Sequence, residues 1–157
     1  MTNAAPSTPL LDAIGTGIAA RPADVLLLSG GVDSSLLAAV ATELGQAPVV
    51  ITVTLATGPA NACPAHGPDL AVPCNSDHEA AQRVASWLGL NWQPIHLPPR
   101  EAIDALLELC LALRSFDLGN LNNIALYTGA LRASRFGAER VWTGDDADSI
   151  FGGYALT

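Results

Sequence analysis

Residues 29–35, Ser-Gly-Gly-Val-Asp-Ser-Ser, have the composition of an anion-binding turn. They follow an apolar run and precede a helical pattern, so the positive end of a helix dipole should point at them. The glycines permit a tight turn and leave backbone N–H groups uncovered, while the serines add hydroxyl donors. The turn therefore predicts phosphate binding without a lysine. The competing interpretation is an ordinary strand–helix turn in which Asp33 or Ser34 caps the helix.

Asp33 places a carboxylate inside this candidate anion site, which is favourable if a cation such as Mg²⁺ also binds there. A second acidic loop, residues 144–148 (Gly-Asp-Asp-Ala-Asp), follows the last strand pattern. Ligands of parallel α/β sheets lie beyond the carboxyl ends of the strands, where the winding reverses. If the first and fourth strands are neighbours, the two loops face each other and could share a metal. The alternative is a solvated acidic loop that caps a helix.

Alternating strand and helix patterns predict an α/β fold, with a doubly wound parallel sheet of about four strands and helices on both faces. The strands are expected at 25–28, 49–55, 92–97 and 139–143, and the helices at 8–20, 36–44, 76–89, 101–114 and 122–136. In the helix 101–114, helical spacing points Ile103, Leu106, Leu107 and Cys110 inward. Residues 1–9 are expected to be flexible, and residues 56–75 to form a long loop rich in Gly, Pro and Ala.

The composition bounds the class of protein. The chain has 157 residues, half of them apolar, which suits one domain over residues 1–157 with a real core. Its formal net charge is −8 and all seven basic residues are Arg, which argues against a nucleic-acid partner. The absence of Lys excludes Schiff-base chemistry and the lysine-bearing phosphate loop. Three cysteines and no long apolar run favour a reducing, cytoplasmic setting without a membrane partner.

The long loop carries a second, weaker candidate site. Cys63, His66, Cys74 and His78 could together form a tetrahedral zinc site, although their spacing matches no standard finger. The favoured alternative is free thiols and solvated imidazoles. His96 should end the third strand partly exposed. The three tryptophans, Trp87, Trp92 and Trp142, are expected to pack rather than to stack on bases.

Two motifs resemble a known family. The turn 29–35 resembles the pyrophosphate-binding loop of the N-type ATP pyrophosphatases, which implies an adenine-nucleotide α-hydrolase-like fold. Residues 143–154, TGDDADSIFGGY, resemble the S/T-G-[DE]-G-[AS]-D-E-[LV]-F-x-G-Y segment of the asparagine synthetase synthetase domain. The resemblance runs from about residue 10 to residue 157.

The resemblance implies an ATP-dependent amide-forming ligase. A carboxylate, aspartate or an analogue, becomes an acyl-adenylate with release of pyrophosphate, and ammonia or an amine then displaces AMP. By motif match, ATP and its pyrophosphate contact Ser29, Gly30, Gly31, Asp33, Ser34, Ser35, the backbone of Val53, and Gly144. Asp33 and Asp148 hold Mg²⁺, and Asp145 positions or deprotonates the nucleophile.

The chain also departs from the family pattern. Asp146 replaces a glycine of the family pattern, and Ser149 replaces a glutamate. In the segment 117–123, Asn122 replaces an arginine that should recognise the substrate carboxylate. The family's glutaminase domain, C-terminal helices and catalytic lysine have no counterpart in these 157 residues. We therefore expect poor turnover by the isolated chain and an uncovered apolar face beside Val141. A glutaminase, a chain supplying the C-terminal helices, or a second copy could complete the site.

Two other functions remain open at this point. One is a non-catalytic nucleotide-binding subunit that acts only with a partner. The other is a tRNA-thiolating enzyme of the same superfamily that uses Cys63 or Cys74, although the chain's acidity and the segment 143–154 weigh against it.

Overall fold

The computed structural model describes residues 8–55, 76–116, 120–145 and 147. Within these residues, helices and strands alternate for most of the chain, as the sequence predicts. In chain order the elements are α1 (Pro9–Ala20), β1 (Val25–Leu27), α2 (Val32–Glu43), β2 (Val49–Leu55), α3 (Ser76–Leu88), β3 (Trp92–Leu97), α4 (Pro99–Leu113), α5 (Asn120–Arg135) and β4 (Val141–Trp142). None of the described helices has the length and hydropathy needed to cross a bilayer.

The described strands form one parallel sheet in the order β3-β2-β1-β4. From β1 the chain first winds outward through β2 and β3, and later returns to pair β4 with the other side of β1. The direction of winding therefore reverses at β1. This confirms the predicted doubly wound sheet, and it makes the first and fourth strands neighbours.

Helices cover both faces of the sheet. Because successive strand residues point to opposite faces, neighbouring residues of β1 contact different helices. Leu26 packs with Ala38 of α2 and Ala81 of α3 on one face. Its neighbour Val25 packs with Ala133 of α5 on the other. Helix α1 packs beside α2 and α4 packs beside α5. Each also reaches the sheet, α1 at Trp142 and α4 at Leu97. Small alanines at the contacts let the helices approach the sheet closely.

Two element boundaries differ from those predicted. Helix α2 begins at Val32 rather than at residue 36, because Gly31 is its N-cap and Ser35 N already donates to Gly31 O at 3.1 Å. Strand β4 is limited to Val141–Trp142 rather than residues 139–143. The residues just before it give their N–H groups to the Asp24 side chain instead of a strand partner.

The prediction of which α4 residues face the core is wrong in part. Ile103 and Leu107 are 58% and 53% exposed, while Ala102 and Leu109 are buried. The α4 sequence contains two apolar stripes at helical spacing, and the contact with α5 and Leu97 selects the one that includes Ala102. Trp87 also contradicts the packing prediction, because it is 81% exposed.

The sheet edge at β4 is partly covered by the chain itself. Val141 is half-buried and packs with the cluster of Val25 and Ala133. The expectation of an uncovered apolar face beside Val141 is thus not met on the α5 side. Residues 148–157 and the expected long loop 56–75 lie outside the described part of the chain. So do residues 1–7 of the segment 1–9 expected to be flexible, whereas Thr8 and Pro9 contradict that expectation because they are the N-cap and the first residue of α1.

Asp24 ties β4 to β1 and should make the fold acid-sensitive. Its carboxylate accepts hydrogen bonds from the backbone N–H groups of Glu139 (2.9 Å) and Arg140 (3.2 Å). These bonds, that from Glu139 first, hold the pKa of Asp24 below its ordinary value of 3.8. A lowered folded-state pKa adds stability that is fully present above the unfolded pKa and disappears as pH falls through the folded one.

We therefore expect Asp24→Asn to lower the urea midpoint at about pH 7, with an effect that diminishes as the pH falls from there through the folded-state pKa of Asp24. Urea titrations across this range measure the difference. Asp12→Asn, an exposed change on α1, is the control. An Asp24→Asn effect of equal size at both ends of the range would contradict the assignment.

Candidate nucleotide and phosphate site

The glycine turn joins β1 to α2 at the carboxyl edge of the sheet. Gly30 has φ +81°, a conformation that side chains disfavour, and an added Cβ would lie 2.5 Å from Ala81 N of α3. Gly31 is different, because its φ is −69° and a Cβ there would meet only Ser29 Oγ at 3.3 Å. Gly30 thus lets the turn lie against α3, whereas Gly31 leaves the approach to the backbone open.

Serine side chains brace the turn from inside. Ser34, which is buried, accepts from Ser29 N at 3.2 Å, and the two hydroxyls lie 3.0 Å apart. Ser29 Oγ also accepts from Gly31 N at 3.2 Å. The turn is therefore held in shape by its own side chains. Ser29 and Ser34 serve this internal network as well as the cavity that they line.

A cavity of about 290 Å³ opens beside the turn, at the carboxyl ends of the strands. It brings together most of the sequence-predicted site: Ser29, Gly31, Asp33, Ser34, Val53, Gly144 and Asp145. Gly30 and Ser35 are not among its described lining residues. Gly30 faces α3, and the Ser35 hydroxyl is buried with no hydrogen-bond partner in the described part of the chain. The glycine turn and the second loop thus meet in one crevice, as expected for neighbouring β1 and β4.

Gly144 shows how closely the two loops approach. A Cβ at this position would lie 2.8 Å from Ser34 N and 3.1 Å from Asp33 Cβ. Any side chain at 144 would therefore push against the first turn of α2. Asp145, which follows, is exposed, and its N–H donates to Thr143 Oγ1 at 3.3 Å. The close contact brings Asp145 to the same cavity wall as Asp33.

Sequence reasoning missed several residues of this wall. Thr52 on β2, Asp77 at the start of α3, and Asn123 and Leu126 on α5 also line the cavity. Asp77 and Asn123 lie near helix starts, and in a parallel sheet such starts gather at the carboxyl edge. That rule is the one signal that could have pointed to these two residues, whereas Thr52 has no such sign in the linear sequence.

The donors in this wall suit a hard cation. Asp33, Asp77 and Asp145 supply carboxylate oxygens, and Mg²⁺ commonly binds through one or two carboxylates plus phosphate oxygens. Within the described residues, no three His, Cys, Asp or Glu side chains come close enough to hold a metal ion by themselves. The residues thus fit a magnesium ion that phosphates help to hold. Asp148, the other expected ligand, lies outside the described residues, as do Asp146 and Ser149.

Only one of the four candidate zinc ligands, His78, lies in the part of the chain that the structure describes. Cys63, His66 and Cys74 fall outside the described residues. His78 contradicts the solvated-imidazole alternative, because it is fully buried. Its ring lies 4.9 Å from that of Trp92 and 5.0 Å from that of His96, between centroids. His96 is partly exposed, as predicted. Residues 117–119 and the side chain of Asn122 are outside the described part too.

Comparison with solved structures agrees with this architecture. NMN synthetase from Francisella tularensis matches with a TM-score of 0.53 at 17% identity, covering 93% of this chain and 56% of that one. Glutamine-dependent NAD+ synthetase from Acinetobacter baumannii, solved in complex with ADP, matches with a TM-score of 0.52 at 20% identity, covering 99% and 30%. At these identities the likeness shows the fold alone, which is adenine-nucleotide α-hydrolase-like.

Sequence comparison identifies the family. Asparagine synthetase B [glutamine-hydrolyzing] of Escherichia coli (strain K12) is 28% identical over 131 residues, which are 82% of this chain and 23% of that protein. Asparagine synthetase [glutamine-hydrolyzing] 2 of Oryza sativa subsp. japonica is 31% identical over 136 residues, covering 82% and 21%. The chain therefore spans between a fifth and a quarter of the length of these relatives. The sequence model of the family described as asparagine synthase matches residues 12–157, and the chain belongs to that family.

Proposed function

We propose that this chain binds Mg·ATP in the cavity beside the glycine turn and forms the adenylating part of an amide ligase of the asparagine synthetase type. The observation that supports this most is the meeting of two loops at the point where the sheet reverses. A Cβ added at Gly144 of the acidic loop after β4 would lie 2.8 Å from Ser34 N in the N-terminal turn of α2. Sites at such reversal points commonly bind nucleotides.

Phosphate binding would rest on backbone groups and the helix end. Gly31 leaves room for an anion beside the first turn of α2, where unpaired N–H groups and the positive dipole end favour negative charge. Ser29 and Ser34 hold that backbone in place through their mutual hydrogen bonds. Since the chain has no Lys and no Arg is among the described residues that line the cavity, these groups and a cation would neutralise the phosphates.

The proposed first step is adenylation. An oxygen of the substrate carboxylate, aspartate or an analogue, forms a bond to the α-phosphorus of ATP. The bond from that phosphorus to the bridging oxygen breaks, and pyrophosphate leaves along the glycine turn with the electron pair. The products are an acyl-adenylate and pyrophosphate. The chain's residues contribute positioning and charge neutralisation, which dominate such reactions.

The second step is amide formation. The nitrogen of ammonia or an amine bonds to the acyl carbon, the carbon–oxygen bond to AMP breaks, and AMP leaves. The nitrogen must lose a proton, and we assign its acceptance to Asp145, a role supported by the presence of Asp145 among the residues that line the cavity. The relatives named above are glutamine-hydrolysing. A glutaminase in the same assembly would therefore be a source of ammonia for this chain.

Magnesium fits this site through Asp33, with Asp148 as its proposed second protein ligand. When bound, Mg²⁺ neutralises phosphate charge and polarises the phosphorus–oxygen bonds. Asp33 lies in the cavity wall at the first turn of α2, next to where the phosphates would bind. The acidic wall, unfavourable for a bare anion, thereby becomes favourable for a metal–nucleotide complex.

An exchange assay tests the proposed reaction. The isolated chain, of which poor turnover is expected, should still transfer radiolabel slowly from pyrophosphate into ATP, and only when Mg²⁺ and a suitable carboxylate, tested from aspartate outward, are present. Asp33→Asn should reduce the rate by about 10²–10³, the usual effect of losing one preorganised charged group. The control Asp12→Asn, on exposed α1, should leave the rate unchanged.

Three results would contradict the proposal. One is exchange that proceeds equally in Asp33→Asn. Another is ATP binding without exchange for any carboxylate, which indicates the partner-dependent binding subunit. The third is tRNA-dependent consumption of ATP, which indicates the thiolating enzyme.

A further inference from the structure

We infer that Trp92 is a positioning residue for the glycine turn and acts on it through Thr52. Neither residue belongs to the two motifs that identify the family. The inference rests on the proposed function, because its consequence is measured as nucleotide affinity. It concerns how this chain holds the start of its phosphate-binding turn.

A directed chain of two hydrogen bonds carries the inference. The indole Nε1–H of Trp92 donates to Thr52 Oγ1 at 2.9 Å, and Thr52 Oγ1–H donates to Leu28 O at 2.7 Å. The direction is fixed, because an indole N–H only donates and a hydroxyl has one proton to give. Leu28 is the last residue before the turn begins at Ser29.

The chain lies at the point where β1 leaves the sheet. Strand β1 ends at Leu27, and Leu28 N still donates to Ile51 O on β2 at 2.9 Å. Thr52 is the next residue on β2, and its side chain takes the Leu28 carbonyl. Both Leu28 and Thr52 are buried, where a hydrogen bond is stronger and its loss more costly than in water. The orientation of the Leu28 peptide, and hence the path into Ser29, is set by this bond.

Helix α3 contacts both the tryptophan that begins this hydrogen-bond chain and the glycine turn that follows its end. His78 is fully buried and meets the Trp92 ring edge to face, with centroids 4.9 Å apart and planes at 64°. Three residues further along α3, Ala81 lies against Gly30. The start of α3 therefore holds the donor of the hydrogen-bond chain and touches the turn itself. A second pair, Thr54 Oγ1 and His96 Nδ1 at 3.0 Å, ties β2 to β3 at the next position on the same face of the sheet.

This arrangement predicts an effect that depends on phosphate. If Trp92 and Thr52 orient the turn, losing either one should weaken ligands that bind the turn and spare ligands that bind only through the nucleoside. A general loss of stability would instead weaken the binding of both kinds of ligand equally, or would weaken neither as long as the protein stays folded.

The experiment compares variants with matched controls. Trp92→Phe keeps the ring but removes the N–H, and Thr52→Val keeps the shape but removes the hydroxyl. Trp87→Phe, at an exposed site, and Thr42→Val, whose hydroxyl donates within α2 to Ala38 O, are their controls. Calorimetry at a temperature where every variant is folded gives the dissociation constants for Mg·ATP and for adenosine.

We expect Trp92→Phe and Thr52→Val each to raise the Kd for Mg·ATP roughly three- to tenfold, the effect of one buried hydrogen bond. The adenosine Kd should stay unchanged in Trp92→Phe and should rise less than the Mg·ATP Kd in Thr52→Val, since Thr52 also lines the cavity. Both controls should keep the wild-type Kd for each ligand. The double variant should be little worse than Thr52→Val, since both changes break one chain. Equal losses for ATP and adenosine, or fully additive losses, would overturn the inference.

Amide hydrogen exchange separates this inference from the proposed function. In the nucleotide-free chain, the N–H groups of residues 29–31 should exchange faster in Trp92→Phe than in wild type or Trp87→Phe. Absence of ATP binding by the wild type would defeat the proposed function while this exchange test still decides the inference. Unchanged exchange at residues 29–31 would overturn the inference even if ATP binds.

Discussion

Replacing Gly31 with valine should weaken Mg·ATP binding by at least about 100-fold while the chain stays folded, if phosphates bind the first turn of α2. The side chain would stand between the anion and the N–H groups at the start of α2. Hydrogen bonds to a charged group contribute about 1.5–3 kcal/mol each, so losing two of them gives an effect of this size.

The fold should tolerate the change. Gly31 has an ordinary φ of −69°, and an added Cβ would meet only Ser29 Oγ at 3.3 Å. Valine is a poorer N-cap than glycine, which costs about 1 kcal/mol at most. Calorimetric titration measures the affinity, and urea denaturation the stability. Gly17→Val, on α1 where nothing lies within 4 Å of an added Cβ, is the control. An unchanged ATP affinity in folded Gly31→Val would place the phosphates elsewhere.

Replacing Gly30 with alanine should instead damage the fold, by about 2–5 kcal/mol of unfolding free energy. Two costs combine. Alanine at φ +81° is strained by about 1–2 kcal/mol. Its Cβ would also lie 2.5 Å from Ala81 N and 2.6 Å from Ala80 Cβ, so the backbone of α3 must move, which costs about 1–3 kcal/mol more.

Gly45→Ala separates these two costs. Gly45 has a similar φ of +74°, and nothing lies within 4 Å of its added Cβ. This variant should show the conformational cost alone, about 1–2 kcal/mol. Urea denaturation of both variants gives the difference. If Gly30→Ala loses no more stability than Gly45→Ala, the turn does not pack against α3 as described.

The topology could be predicted because the positions of the strands follow from recognisable patterns in the sequence. The runs 49–55 and 92–97 coincide with β2 and β3. The first is seven consecutive apolar or β-branched residues, and the second, although it contains Pro94, ends at the proline pair 98–99 that begins the next helix. Strand β4 could not be bounded in the same way. The Asp24 carboxylate takes the N–H groups of residues 139 and 140, and that bond spans more than a hundred residues of sequence.

Helix faces and helix starts were harder to predict for local reasons. In α4 two apolar stripes compete, and tertiary contact with α5 decides between them. In α2 the residues Gly, Asp and Ser look like turn residues, yet Gly31 is the N-cap and Asp33 lies in the first helical turn. The phosphate-binding turn is thus partly the beginning of the helix, which residue preferences alone do not separate.

The candidate site could be predicted where it lies within a motif and not where it depends on contact between motifs. Asp33, Gly144 and Asp145 come from two recognisable loops and do line one cavity. Thr52 and Trp92 are ordinary strand residues whose hydrogen bond joins positions forty residues apart. Asp77 enters the same cavity from α3. Which side chains meet at a shared sheet edge follows from the strand register and helix packing, which the linear pattern does not contain.

The most direct test of the account is a calorimetric titration of ATP into the 157-residue chain, with and without Mg²⁺, beside the same titration of Gly31→Val. ATP should bind at one site per chain, at least about tenfold more tightly with Mg²⁺ than without it. That binding should be lost in Gly31→Val. Mg²⁺-independent binding that survives in Gly31→Val would contradict the account, as would no binding by the folded wild type.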